Sequence, residues 1–85
     1  LWNGIIDSDS KKIKSSLELF EKSLKLDPRF DLAYYNIGWI NLKTKPKNYK
    51  KAEKNFRKAI SLNPNYKEAY YGLGMVYGYQ NQYKS

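Results

Sequence analysis

The chain repeats itself. A shift of 36 residues superposes Lys14 on Lys50, Phe20 on Phe56, Lys22 on Lys58, Leu26 on Leu62 and Pro28 on Pro64. The same shift superposes Ala33, Tyr34, Tyr35 and Gly38 on Ala69, Tyr70, Tyr71 and Gly74. Self-similarity at a fixed period of this length is the mark of stacked supersecondary units, each of which buries its apolar face only against a neighbour. Gly4 precedes Gly38 by 34 residues, so the first unit is two residues shorter. The extra pair falls in the polar stretch Lys43-Thr44-Lys45-Pro46-Lys47, where an insertion is tolerated.

Within each unit the apolar spacing is helical. Ile13, Leu17, Phe20 and Leu24 share one face, with Glu18, Lys22 and Lys25 opposite. Tyr49, Ala52, Phe56, Ala59 and Ile60 do the same in 49–62. Asp27-Pro28 and Asn63-Pro64 end these helices, because a residue before proline resists the α conformation. The segments 31–43 and 67–80 are apolar nearly all round, which predicts cover on more than one side. No stretch alternates with period two, and Asn3-Gly4, at the terminus, does not lie between apolar runs, so no strand is expected. The expectation is all-α, with helices near 11–26, 31–43, 48–62 and 67–80 and a shorter one before residue 9. Phe56, Ala59, Gly38 and Tyr70 are expected among the buried residues.

Composition removes several functions. The chain has no Cys and no His, which excludes Cys and His nucleophiles, His general bases, disulfides and zinc sites built on Cys or His. Asp7 and Asp9 point to different faces of a helix, and Gly72-Leu73-Gly74 lies in a helical pattern without a phosphate-loop continuation. No catalytic, cofactor or metal residues are assigned, and no enzyme is expected. No apolar run approaches membrane-spanning length. The net charge of +8 lies entirely in 29–85, and 43–58 holds eight basic residues against Glu53. That stretch could steer acidic partners or bind nucleic acid weakly. A solvated helix face is favoured, since no aromatic residues alternate with these charges in a pattern suited to base stacking.

With these residues in place, the chain resembles a tetratricopeptide repeat array. The run Ala33-Tyr34-Tyr35-Asn36-Ile37-Gly38 is similar to the family's first-helix signature. Tyr49, Ala52, Phe56, Ala59 and Asn63-Pro64 are similar to its second helix and terminus. Asn41 departs from the pattern, since an aromatic is common there. A pentatricopeptide array, of near-equal period, fits the small-residue and aromatic spacing less well. The resemblance implies a right-handed α-solenoid of antiparallel helix pairs and a fragment of a longer array. It divides the chain into a first repeat over 1–30 with a short first helix, a complete repeat over 31–66, and the first helix of a third over 67–85. Gly38 and Gly74 are expected to admit the paired helix closely, and Phe20 and Phe56 to fill the space between pairs.

In such arrays the first helix of each pair lines a concave groove that holds a partner segment. The residues the resemblance places there are Leu1 and Ile5, then Leu32, Tyr35, Asn36, Trp39 and Leu42 or Lys43, then Glu68, Tyr71, Met75 and Tyr79. The function implied is a protein-interaction scaffold with no cofactor, binding a protein or peptide. The alternatives are a structural segment whose groove is filled by its own parent chain, and nucleic-acid binding through 43–58. Clamping of a chaperone's terminal carboxylates is excluded. Asn36 matches one clamp position, but Leu1, Ile5, Glu68 and Gly72 stand where Lys, Asn, Lys and Arg are needed. The stripe Tyr70, Leu73 and Tyr77 would be covered by a further helix, and self-association through that end is a further expectation.

Overall fold

The computed structural model describes the backbone of residues 2–44 and 47–84 and the side chains of 11–44 and 47–81. Four helices follow one another: α1 (Trp2–Leu26), α2 (Asp31–Lys43), α3 (Tyr49–Leu62) and α4 (Lys67–Lys84). Among the described residues there is no strand. Each helix packs on the next, and α2 also touches α4. Asn41 meets Asn55 and Tyr34 meets Lys58, so α2 and α3 are antiparallel. Phe56 reaches Gly72 and Tyr49 reaches Tyr79, so α3 and α4 are antiparallel as well. It follows that α2 and α4 run in the same direction.

The core forms where small residues let a large one in. Phe56 on α3 is fully buried among Ala52, Ala59, Ala69, Val76 and Leu42. An ideal Cβ added at Gly38 would lie 2.8 Å from the Phe56 ring, and one at Gly72 would lie 2.6 Å from it. The ring is therefore held between α2 and α4, each reduced to bare backbone at the contact. Gly74, the residue expected by repeat symmetry to admit a partner helix, is exposed, with nothing within 4 Å of an added Cβ. The close approach on α4 belongs to Gly72 instead, because Phe56 comes from the preceding unit and meets the α4 face two residues earlier.

The two Asx-Pro turns are built alike. Asp27 Oδ1 accepts the Arg29 N–H at 3.1 Å and the Asp27 carbonyl accepts the Phe30 N–H at 3.2 Å. Asn63 does the same for Asn65, at 3.3 Å, and Tyr66, at 3.0 Å. Such side-chain mimicry of a turn is what Asp and Asn offer ahead of a helix start. The Tyr34 hydroxyl then donates to the Pro28 carbonyl at 3.1 Å, and the Tyr70 hydroxyl to the Pro64 carbonyl at 3.2 Å. This overturns the expected burial of Tyr70, which is 50% exposed. Its ring lies over the turn, where the hydroxyl satisfies a carbonyl that proline geometry leaves outside the helix.

Two further departures have local causes. A short helix before residue 9 and a separate one from 11 were expected, but α1 is continuous from Trp2 to Leu26. Residues 7–12 contain neither Pro nor Gly, and Asp and Ser lower helix propensity without breaking a helix. Asn41, in place of an aromatic, is 9% exposed and serves as a polar hub. Its Oδ1 accepts from Asn55 Nδ2 at 2.8 Å, and its carbonyl accepts the Asn48 N–H at 2.9 Å and the Thr44 hydroxyl at 3.2 Å. Asn48 in turn caps α3 by accepting the Lys51 N–H. The α2–α3 turn is thus organised from one buried amide.

Candidate groove on the first helices

The parallel course of α2 and α4 sets their side chains next to one another. Tyr35 and Trp39, one turn apart on α2, meet edge-to-face with centroids 6.3 Å apart. Trp39 lies 6.5 Å from Tyr71 on α4, and both Tyr35 and Trp39 rest against Phe56, at 6.0 and 5.5 Å. The buried Phe56 is thus the floor on which the half-buried rings of Tyr35 and Trp39 stand. Such edge and tilted contacts are the geometries aromatic quadrupoles favour.

Tyr66, in the loop ahead of α4, joins this cluster, with its ring 5.0 Å from Tyr35. The groove residues expected from the repeat pattern did not include it, because it precedes the helix. The one signal was its match to Phe30 under the 36-residue shift. Its hydroxyl is held above the usual tyrosine range, first by burial and then by Tyr35, Asp31 and Glu68.

The other expected groove residues distribute as follows. Leu32 is 44% exposed and Tyr71 67% exposed, while Glu68 is exposed and Met75 half-buried. Asn36 Nδ2 donates to the Leu32 carbonyl on its own helix at 3.0 Å. Asn36 and Trp39 also line a cleft of about 220 Å³ between α1 and α2, with Lys12, Phe20, Ile40 and Lys43. Trp39 is therefore a ridge with an α1 cleft on one side and Tyr71 on the other. Leu42 is buried, so of Leu42 and Lys43 only Lys43 reaches the surface. Tyr79 stands apart from the main cluster, 6.0 Å from Tyr49 and 5.1 Å below Lys47 Nζ. The side chains of Leu1 and Ile5 lie outside the described residues.

The part of the basic stretch on α3 faces elsewhere. Helical spacing turns Lys50, Lys51, Lys54, Arg57 and Lys58 away from Phe56. Arg57 pairs with Glu53 at 3.0 Å and donates to the Tyr77 hydroxyl, which itself donates to Glu53 at 3.2 Å. This triad ties the outer sides of α3 and α4 together. Lys54 and Lys58 border a cleft of about 610 Å³ with Tyr34 and Ser61.

Among the described residues no cluster of His, Cys, Asp or Glu could hold a metal ion, and no helix is long and apolar enough to cross a membrane. Residues 41–81 match the family model of the TPR repeat. No curated protein and no solved structure matches the chain.

Proposed function

We propose that this chain, a TPR-like helical-repeat protein, holds an apolar segment of a partner protein in the groove formed by α2 and α4. TPR repeats are in general non-enzymatic scaffolds for protein–protein interaction. The observation that carries the finer reading is the continuous aromatic surface Tyr35, Trp39, Tyr66 and Tyr71. Tyr71 leaves two thirds of its area open. Tyr and Trp supply much of the binding energy at protein interfaces, since they bury large area at low entropic cost. The division into repeats at 31 and 67 goes with this reading, as does a groove running on through Leu32, Glu68, Met75 and Tyr79.

A pull-down comparing the unaltered chain with Tyr71→Ala and Trp39→Ala tests it. Capture of a partner by the unaltered chain, and its loss from both variants, is the expected result. Equal capture by all three places binding elsewhere, with the face around Lys54 and Lys58 as the next candidate. If adjoining segments of a parent chain fill the groove instead, a longer version carrying them captures nothing through these rings.

A further inference from the structure

The groove has two chemically different ends. Because α2 and α4 run in the same direction, their first turns lie together and so do their last turns. Asp31 opens α2, and Glu68 follows Lys67 in the first turn of α4, just after the loop residue Tyr66. Neither carboxylate forms an ion pair among the described residues, in a chain with 16 basic residues. Among the described residues, Asp31 Oδ1 accepts only the adjacent Leu32 N–H, at 2.8 Å. At the far end Lys43 closes α2 and Lys47 lies over Tyr79. Lys12 approaches from α1 across the cleft beside Trp39.

Helix dipoles favour acids at first turns and bases at last turns, which accounts for Asp31, Glu68 and Lys43. They do not account for Lys12 on α1 or Lys47 in a loop. Nor do they explain why both acids share an end of the groove with the tilted pair Tyr35 and Tyr66, whose faces attract cations.

Resting on the groove reading above, we propose that the groove is charge-polarised and orients its occupant. The occupant is an apolar peptide segment whose Lys or Arg side chain seats on Tyr35 and Tyr66 between Asp31 and Glu68. Its carboxylates lie toward Lys43 and Lys47. The carboxylates give the cation its direction and the rings give it a desolvated face. Overall charge would send any acidic peptide to this protein, so a preference for a cation at one end is a property of the groove alone.

Two synthetic peptides test this on the intact chain by NMR. One is acetyl-Arg-Arg-Leu-Phe-Ala-Leu-Glu-Glu-amide, which is neutral. The other replaces both Arg by Glu. The neutral peptide is expected to bind the groove more tightly, although net charge favours the acidic one. A nitroxide on its Arg end is expected to broaden the Asp31, Tyr66 and Glu68 amides. The same label on its Glu end is expected to broaden Lys43 and Lys47. Glu68→Lys, an exposed change whose folding circular dichroism checks, is expected to weaken the neutral peptide by about tenfold. Tighter binding of the acidic peptide, or equal broadening at both ends, overturns the polarity while leaving the groove standing. If neither peptide perturbs Tyr35, Trp39 or Tyr71, the groove reading fails along with it.

Discussion

Gly72 approaches Phe56 so closely that a methyl group on its Cα would lie 2.6 Å from the ring. Gly38 on α2 makes the same approach at 2.8 Å, so the ring is in close contact with both helices. Gly72→Ala therefore overpacks the core, at a cost of about 1–3 kcal/mol, against a helix-propensity gain of up to about 1 kcal/mol. Gly74→Ala meets open space and keeps only the gain, so it is expected to stabilise by about 0.5–1 kcal/mol. Urea denaturation of the two variants should move in opposite directions. A stabilised Gly72→Ala would show that the ring is not confined.

The amide pair of buried Asn41 and half-buried Asn55 gives a second test. Asn55→Ala leaves Asn41 Oδ1 without its cross-helix donor and is expected to cost about 1–3 kcal/mol. Replacing both residues by Leu removes the orphaned group and is expected to cost less than the single change. Thermal unfolding of the two variants beside the unaltered chain decides; a double change that costs more than Asn55→Ala would mean that the orphaned group is not the source of the loss.

The turn latches predict matched effects. Tyr34→Phe and Tyr70→Phe each delete one exposed hydrogen bond to a proline carbonyl, and each should lose about 0.5–1 kcal/mol. The losses should agree with one another, because the two turns share their geometry. Chemical denaturation that finds one latch silent would show the resemblance between the turns to be geometric only.

Tyr71→Ala is expected to abolish groove binding while changing stability by no more than about 0.5 kcal/mol, as is usual for an exposed site. Calorimetric titration of the captured partner, alongside a melting curve, separates the two effects.

Tyr66 carries a pH signature. Its folded pKa lies above the ordinary 10.0, so the folded state holds the phenolic proton more tightly than the unfolded chain does. Its contribution to stability is complete below pH 10 and is lost as pH rises from there through the folded pKa. Glu68→Gln removes one of the charges that oppose its ionisation and should lower its NMR titration midpoint. An unchanged midpoint would mean that burial alone sets it.

Periodicity made α2 and α3 legible to within a residue, because their apolar spacing and the Asx-Pro stops depend only on local chemistry. The same is true of Phe56 and its alanines, whose small size speaks for close packing wherever they lie. The close approach at Gly38 was legible as well, but other details set by two helices at once were not. Gly72 rather than Gly74 receives Phe56 because the ring crosses from one unit to the next. Asn41 looked like a flaw in the pattern until Asn55 faced it. Tyr70, expected among the buried residues, instead has its hydroxyl claimed by a carbonyl six residues back. Tyr66 lies just ahead of α4, so helical spacing gives no sign of it. Periodicity also suggested an interruption in α1, where no residue capable of breaking a helix is found.

The paired latches also have a mechanical meaning. Tyr34 on Pro28 ties the end of α1 to α2, and Tyr70 on Pro64 ties the end of α3 to α4. The joints between successive hairpins are thus fastened by the same bond at the same place. A tension applied along the chain reaches two joints of similar stiffness in series, with Phe56 bracing the span between them. Strain is then shared between the joints instead of gathering at one, so the groove under load should open as a gradual change of curvature along its length.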